Sequence, residues 1–397
     1  MSRFALLRPA ARLSGFYAAT FLVAGIQLPF WPVWLAARGF TATEIGAVLA
    51  AAIWAKVLAT PAISAIADAS GARRAVMGAL AAAALVSYAG LWSVTGFWPL
   101  VFLNVIALAA QSALMPLGDT LTLAASRSQG LDYGRIRLWG SVAFILASLA
   151  SGAVLTASSG DEVLPLVLGG SALVLLACLA VPSLRGATGG ASRIAGIRAV
   201  ARDARFWIFV GTASALQASH QVYYGFATLH WRSLDFSEAV IGLLWAEGVL
   251  AEIVLFWQSR RLLAWLGPIG LMVLGGAAGI LRWSLAGVLS WLPFIIGLQL
   301  LHALTFGASH LGAMHYLARA VPPHAAASAQ GIYAAVSSGL GSGLVMIVAG
   351  ALYAAYGGKA YMFMTLLSGA GLIGAAALRR AAVSGREPDL PTPRSRH

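Results

Sequence analysis

The chain reads as long apolar runs separated by short polar segments. Twelve runs can be marked, at about 14–37, 42–66, 74–95, 98–124, 138–158, 163–182, 206–230, 238–258, 267–288, 291–317, 325–354 and 359–379. A helix that crosses a bilayer needs about 20 apolar residues, and each run is long enough. The pattern therefore predicts an all-α membrane protein with twelve transmembrane helices. Several runs contain Pro or Gly, among them Pro29, Pro32, Pro61 and Pro116. Neighbouring helices can satisfy the backbone groups that such residues release.

Lys and Arg in the connections set the orientation. With the N-terminus in the cytoplasm, 21 of them fall in inside segments and 3 (Arg38, Arg232 and Lys359) in outside ones. Both termini are then cytoplasmic. Arg3, Arg8 and Arg12 precede an apolar stretch too long for a signal peptide, so the first helix is expected to be retained. The longest polar connection, 183–205, is basic and divides the runs six and six. Four parts follow: an N-terminal six-helix bundle (1–182), a cytoplasmic central loop (183–205), a C-terminal six-helix bundle (206–380) and a cytoplasmic tail (381–397). Two pseudo-symmetric bundles of this kind bind their cargo near the bilayer midplane, between the halves.

Composition narrows the class. The 397 residues are 60% apolar and 10% charged, with a mean hydropathy of +0.83. A soluble domain is about one quarter charged, so a soluble enzyme and a disordered chain are excluded. The net charge of +13 does not indicate a nucleic-acid partner, because the arginines lie between apolar runs rather than on one face. Cys178 is the only cysteine, so no disulfide forms within the chain. The sequence shows no metal or cofactor motif, no phosphate loop and no His-Glu-x-x-His. The expected setting of such a chain is the lipid bilayer, with the chain acting as a monomer.

A charge in hydrocarbon costs at least about 2.5–3.5 kcal/mol, so one that is present faces a cavity or a partner. Helical rise places Lys56, Glu247 and His302 near the midplane. Glu252 and His310 fall roughly 6–10 Å towards the cytoplasm, and Arg282 and His220 a few ångströms towards the outside. Glu247 and Glu252 point about 140° apart, so at most one faces a central cavity squarely; His302 and His310, about 80° apart, can share one broad face. Each can be a proton carrier or a satisfied structural group. Lys56 and Arg282 suit a substrate carboxylate or an acidic partner on another helix. Asp119, near the cytoplasmic end of its run, pairs with Arg135 or Arg137 as a structural bridge or a gate. Phe30, Trp31, Trp34, Trp92, Phe97 and Trp98 read as an interfacial aromatic belt. His220, Gln221, Tyr223 and Tyr224 form a polar aromatic stretch where a ring could stack, or a packed core.

Specific stretches resemble a known family. Residues 64–74, with Asp68, Gly71, Arg73 and Arg74, resemble the loop signature G-x-L-A-D-x-x-G-x-R-[RK] of the major facilitator superfamily, with Ser64 in place of the first Gly. Pro116–Asp119, Asp132–Ser141, Leu301–Gly307 and Ala329–Tyr333 resemble the phenylpropionate permease family, related to the lactose permease-like proton symporters. The resemblance runs from about Gly15 to Arg380. It implies the major facilitator fold, a bacterial inner-membrane location and proton-coupled uptake, with an aromatic acid such as 3-phenylpropionate as a candidate cargo. Lactose permease-like symporters place a Glu on helix 8, an Arg on helix 9, and a His and a Glu on helix 10. Here helix 8 has Glu247 and Glu252, helix 9 has Arg282, and helix 10 has His302 and His310 but no acid. The family pattern W-A-L-G-V-x-A-E on helix 8 matches Glu252 and leaves Glu247 as an addition, which moves the proton site to Glu252 with His310.

The sequence thus indicates a secondary transporter working by alternating access, not an enzyme. Proton-coupling residues are Glu252, His310, Glu247 and His302. Substrate-binding residues are Lys56, Arg282, His220, Tyr223 and Gln330. Gate residues are Asp68, Arg73, Asp119 and Arg137. The alternative is a proton-coupled exporter on the same fold; a membrane-embedded enzyme is a distant second, because no nucleophile or metal cluster is evident.

Overall fold

The computed structural model describes residues 3–156, 160–182, 200, 202–322 and 325–383. Most of the central loop 183–205 and of the tail 381–397 lies outside the described residues. The described residues form helices and no strand. In order they are α1 (Arg3–Ala37), α2 (Ala42–Ser70), α3 (Arg73–Gly90), α4 (Phe97–Gln129), α5 (Tyr133–Leu155), α6 (Val163–Ala180), α7 (Ala204–Ala218), α8 (Gln221–Arg232), α9 (Glu238–Trp257), α10 (Ser259–Ala286), α11 (Leu292–Leu300), α12 (Ser309–Ala320), α13 (Ala326–Tyr333), α14 (Ser342–Tyr356) and α15 (Tyr361–Val383). Two π-helical segments, Ala303–Ala308 and Ala334–Gly341, join α11 to α12 and α13 to α14. Among the described residues nine stretches are long and apolar enough to cross a membrane. One of them, Ser328–Ala381, is 54 residues long, more than one crossing needs, and it turns at Gly357 (φ 56°).

Local chemistry sets the element ends. Thr41 and Glu44 make a reciprocal cap at the start of α2: the Thr41 N–H donates to Glu44 Oε2 (2.8 Å) and the Glu44 N–H to Thr41 Oγ1 (3.3 Å). Asp132 caps α5 and Ser237 caps α9 through their side-chain oxygens. The seventh run is not one helix. It breaks at Ser219–His220, where Ser219 Oγ (2.7 Å) and His220 Nδ1 (3.0 Å) both donate to the Leu216 carbonyl. The ninth run extends further towards the N-terminus than the apolar pattern, with a kink at Gly267 (φ 66°) ahead of Pro268, which has no N–H to continue a helix.

Part of the expected aromatic belt lies in the core. Phe30, Trp31 and Trp34 are buried, Trp31 stacks on Trp34 at 4.7 Å, and Trp31 Nε1 donates to Asn104 Oδ1 (3.0 Å). A buried asparagine on α4 gives the indole N–H a partner away from the interface. Trp92 and Trp98 are exposed, at 59% and 76%.

Helices α1 and α4–α6 pack together with α3, and α4 with α2; α7, α10, α12 and α15 pack together further along the chain. The two groups meet mainly where α2 crosses α14 and α5 crosses α9. Both crossings are made of glycine. A Cβ on Gly46 would lie 2.9 Å from the Cα of Gly350 and 2.9 Å from the Met346 carbonyl oxygen. A Cβ on Gly152 would strike the Glu238 carbonyl, and one on Gly242 the Ser148 carbonyl. In membranes, where apolar burial gives little drive to helix association, such small residues let backbones touch and gain dispersion contacts. Both crossings lie towards the end of the molecule that carries the α1–α2 turn. At the opposite end α12 and α13 pack within their own group; the side chains of His310 on α12, Gln330 on α13 and Lys56 midway along α2 are exposed.

Candidate functional site

A buried polar cluster centres on Arg282 of α10, whose side chain is 2% exposed. Arg282 Nη1 donates to His302 Nδ1 (2.9 Å) and to Thr305 Oγ1 (3.0 Å), and Nη2 donates to Gln299 Oε1 (2.7 Å). The guanidinium also lies over the rings of Tyr223 (4.7 Å) and Trp283 (4.5 Å). Charge-assisted hydrogen bonds and cation–π contacts together offset the loss of water around a buried cation. On the far side of its ring, His302 Nε2 lies 2.8 Å from Glu252 Oε1.

The hydrogens of this cluster follow from donor and acceptor counting. A guanidinium only donates, so His302 Nδ1 carries no proton and accepts. Nε2 is then the protonated nitrogen, and it donates to the Glu252 carboxylate. The second branch is equally constrained. His220 Nδ1 faces the Leu216 carbonyl and must donate, so His220 Nε2 accepts from Thr305 Oγ1 (3.1 Å), which itself accepts from Arg282. Two chains of donors thus leave one arginine, one ending on a carboxylate and the other on a backbone carbonyl.

Backbone geometry brings these groups together. Gly248 and Glu252 lie four residues apart on one face of α9; a Cβ on Gly248 would come within 3.4 Å of the His302 ring, and Glu252 bonds that ring. The π segment after His302 widens the turn. The rings of His302, Phe306 and His310 therefore stack in line, at 5.6 and 5.8 Å with interplanar angles of 10° and 1°, rather than about 80° around. His220 reaches the cluster because of the α7–α8 break, and its ring packs edge-on against His302 (5.8 Å).

The remaining candidates are distributed differently. Glu252 bonds His302, not His310, which stands exposed at the open end of the ring stack. Glu247 leaves the cluster and borders a groove of about 440 Å³ between α9 and α11, lined by Leu250, Val254, Leu255, Leu300 and Leu304. Its Oε2 has no hydrogen-bond partner among the described residues. Lys56 is exposed midway along α2, apart from the cluster. Gln330, on α13, takes no part in the cluster bonds and is exposed. Asp119 Oδ1 accepts from Tyr17 OH (2.6 Å) and Tyr133 OH (3.0 Å), with Arg137 Nη1 at 3.9 Å, so this network joins α1, α4 and α5. Asp68 pairs with Arg73 at 2.6 Å across the α2–α3 turn. Neither proposed gate pair links the two helix groups.

Two groups escaped the sequence reading. Gln299 and Thr305, which anchor Arg282, sit three residues before and after His302, a spacing that marks one helix face. The second is Tyr88, whose OH accepts from Gln27 Nε2 (2.6 Å) and donates to Gln111 Oε1 (2.9 Å), so that it joins two polar residues that helical rise places near the midplane and ties α3 to α1 and α4. Among the described residues no three of His, Cys, Asp and Glu are placed to hold one metal ion.

Comparison with known proteins places this geometry in context. The chain is 31% identical over 360 residues to the probable 3-phenylpropionic acid transporter of Escherichia coli (strain K12), covering 89% of this chain and 93% of that protein. It is 26% identical to the maltose permease of Geobacillus stearothermophilus, covering 90% and 91%. Its fold is similar to that of the nucleoside transporter NupG, with a TM-score of 0.81 at 20% identity over 94% of this chain and 98% of that one. The sequence profile of the MFS_1 like family matches residues 10–365. The chain therefore belongs to the MFS_1 like family, and it is a major facilitator membrane transporter rather than an enzyme.

Proposed function

We propose that this protein takes up a small organic acid together with protons by alternating access, with Glu252 as the group that receives and releases the proton. The observation that carries this reading is the Arg282–His302–Glu252 chain. Arg282 occupies one nitrogen of His302, so the other can only donate, and the ring cannot take a second proton without facing the guanidinium. The carboxylate is the one member able to gain a proton. A proton on Glu252 removes the anion that balances Arg282 and weakens the bond to His302. The cluster then favours a rearranged geometry, and a change in protonation becomes a change in conformation.

The charges in the loops support an orientation with both termini in the cytoplasm of a bacterium and the carrier in the inner membrane. The glycine crossings then close the outer side, and the exposed Lys56, His310 and Gln330 face a cavity open to the cytoplasm. Twelve crossings fit this arrangement: α7 with α8, α11 with α12 and α13 with α14 each form one, and the bundles are 1–182 and 206–380 in a monomer. The relative whose printed name is probable 3-phenylpropionic acid transporter supports an aromatic acid as cargo. The test is transport of labelled 3-phenylpropionate into proteoliposomes with and without an inward proton gradient. Wild type accumulates it only with the gradient, and Glu252→Gln keeps counterflow but loses accumulation. Normal accumulation by Glu252→Gln would sink the assignment.

A further inference from the structure

Lys56 is the cation for which the cluster has no use. It is residue 15 of the 29-residue α2, in the middle of a crossing, where an unbalanced charge is costly. Its side chain is exposed, while Ile45, Ala52 and Ala67, which share its face of α2, are buried. On an ideal helix it points about 160° away from Leu58, an exposed hydrophobic residue of α2. An exposed cation on a helix face that is otherwise buried stands in an open cavity, not in lipid. Its neighbours on α2 are otherwise engaged: Thr60 bonds Ser112 (3.1 Å), Trp54 packs on Gly343 and Val57 on Gly339. No carboxylate among the described residues lies within ion-pair distance of it. The intramembrane acids are placed elsewhere, Glu252 on His302 and Glu247 on the α9–α11 groove.

We propose that Lys56 is the anchor for the carboxylate of a monoanionic substrate, and that this pairing sets the charge carried per cycle. This rests on the reading of Glu252 as the proton site. With the cavity empty, Lys56 and Arg282 are positive and Glu252 is negative, a sum of +1. With one carboxylate on Lys56 and one proton on Glu252, Lys56 is neutralised and Glu252 is uncharged. The sum is again +1. The loaded and empty carriers present the same charge to the membrane, so one proton accompanies one monoanion without net charge movement. Arg282 cannot take the anchoring role in this conformation, because its donors are taken by His302, Thr305 and Gln299 and it is closed off from the cavity.

The test separates binding from coupling. Affinities of purified wild type, Lys56→Gln and Lys56→Arg are measured by thermal shift for 3-phenylpropionate, other aromatic and short-chain monocarboxylates, and the matching neutral amides. A hydrogen bond to a charged group corresponds to roughly 10- to 150-fold in affinity. Lys56→Gln is expected to lose that factor for the carboxylate and to keep or gain the amide, and Lys56→Arg to keep the carboxylate. Lys56→Arg also reports folding, because it preserves the charge. Equal carboxylate affinity in wild type and Lys56→Gln, or no monocarboxylate bound at all, overturns the proposal. In proteoliposomes, wild-type uptake should follow the pH gradient and ignore a valinomycin-set potassium potential; uptake driven by the potential overturns the charge balance. Binding requires no gradient, so a failure of proton coupling shows separately, through wild type and Glu252→Gln.

Discussion

The crossing of α2 and α14 offers a direct way to bias the carrier. A methyl group at Gly46 would stand 2.9 Å from both the Gly350 Cα and the Met346 carbonyl oxygen, where ordinary contact needs about 3.5–4.0 Å. Both obstacles are backbone, so neither can swing aside, and the helices must separate by roughly 0.6–1 Å. Overpacking of this kind costs about 1–3 kcal/mol. The penalty applies only while the crossing is closed, so Gly46→Ala destabilises the conformation described here relative to the one in which this end opens. At 1.4 kcal/mol per tenfold, the population ratio shifts by about 5- to 150-fold. The assay is reaction of Gln330→Cys, at the open end, with a bulky maleimide in a Cys178→Ser background. Gly46→Ala should slow the labelling. Gly169→Ala, where nothing lies within 4 Å of the added methyl, should leave it unchanged. Equal or faster labelling in Gly46→Ala would refute the idea that this crossing closes one state and not the other.

The remaining expectations concern the polar networks. Arg282→Lys keeps the positive charge but removes the fork that holds His302, Thr305 and Gln299 together, so thermal unfolding in detergent should show a loss of about 1.5–3 kcal/mol, that of one hydrogen bond to a charged group. Thr305→Val keeps the volume but deletes the hydroxyl between Arg282 and His220; about 1.5–3 kcal/mol should be lost by the same measurement and largely restored by Thr305→Ser. Asp119→Asn keeps an acceptor for Tyr17 and Tyr133 and removes only a long, half-exposed ion pair, so the unfolding midpoint should move by less than the equivalent of about 1 kcal/mol.

Apolar length made the membrane-spanning helices legible, because it is a local property of a chain in lipid. The interruptions were not. The break at Ser219–His220 is marked by two side chains that bond the Leu216 carbonyl, and the π segments Ala303–Ala308 and Ala334–Gly341 depart from the even 3.6-residue spacing. Those interruptions decide the site. On an even helix His302 and His310 stand about 80° apart, whereas the wider turn at Ala303–Ala308 stacks them through Phe306. Arg282, His302, Glu252, His220 and Tyr223 stood out as costly or aromatic residues within apolar runs, and they meet. Thr305 and Gln299 did not stand out, since neutral polar residues are common in such helices and only their partner gives them meaning.

The two chains of donors that leave Arg282 share a property beyond their strength. A ring of hydroxyls can run clockwise or anticlockwise, and a water chain can reverse, so such networks hold interchangeable hydrogen arrangements. This one starts at a group that cannot accept and ends at groups that cannot donate, so one assignment of hydrogens satisfies it. It carries no slack. A proton arriving at Glu252 is not passed along by turning the hydroxyls elsewhere; it stays on the carboxyl group, and the arginine beyond His302 loses its balancing charge without any reordering of the network.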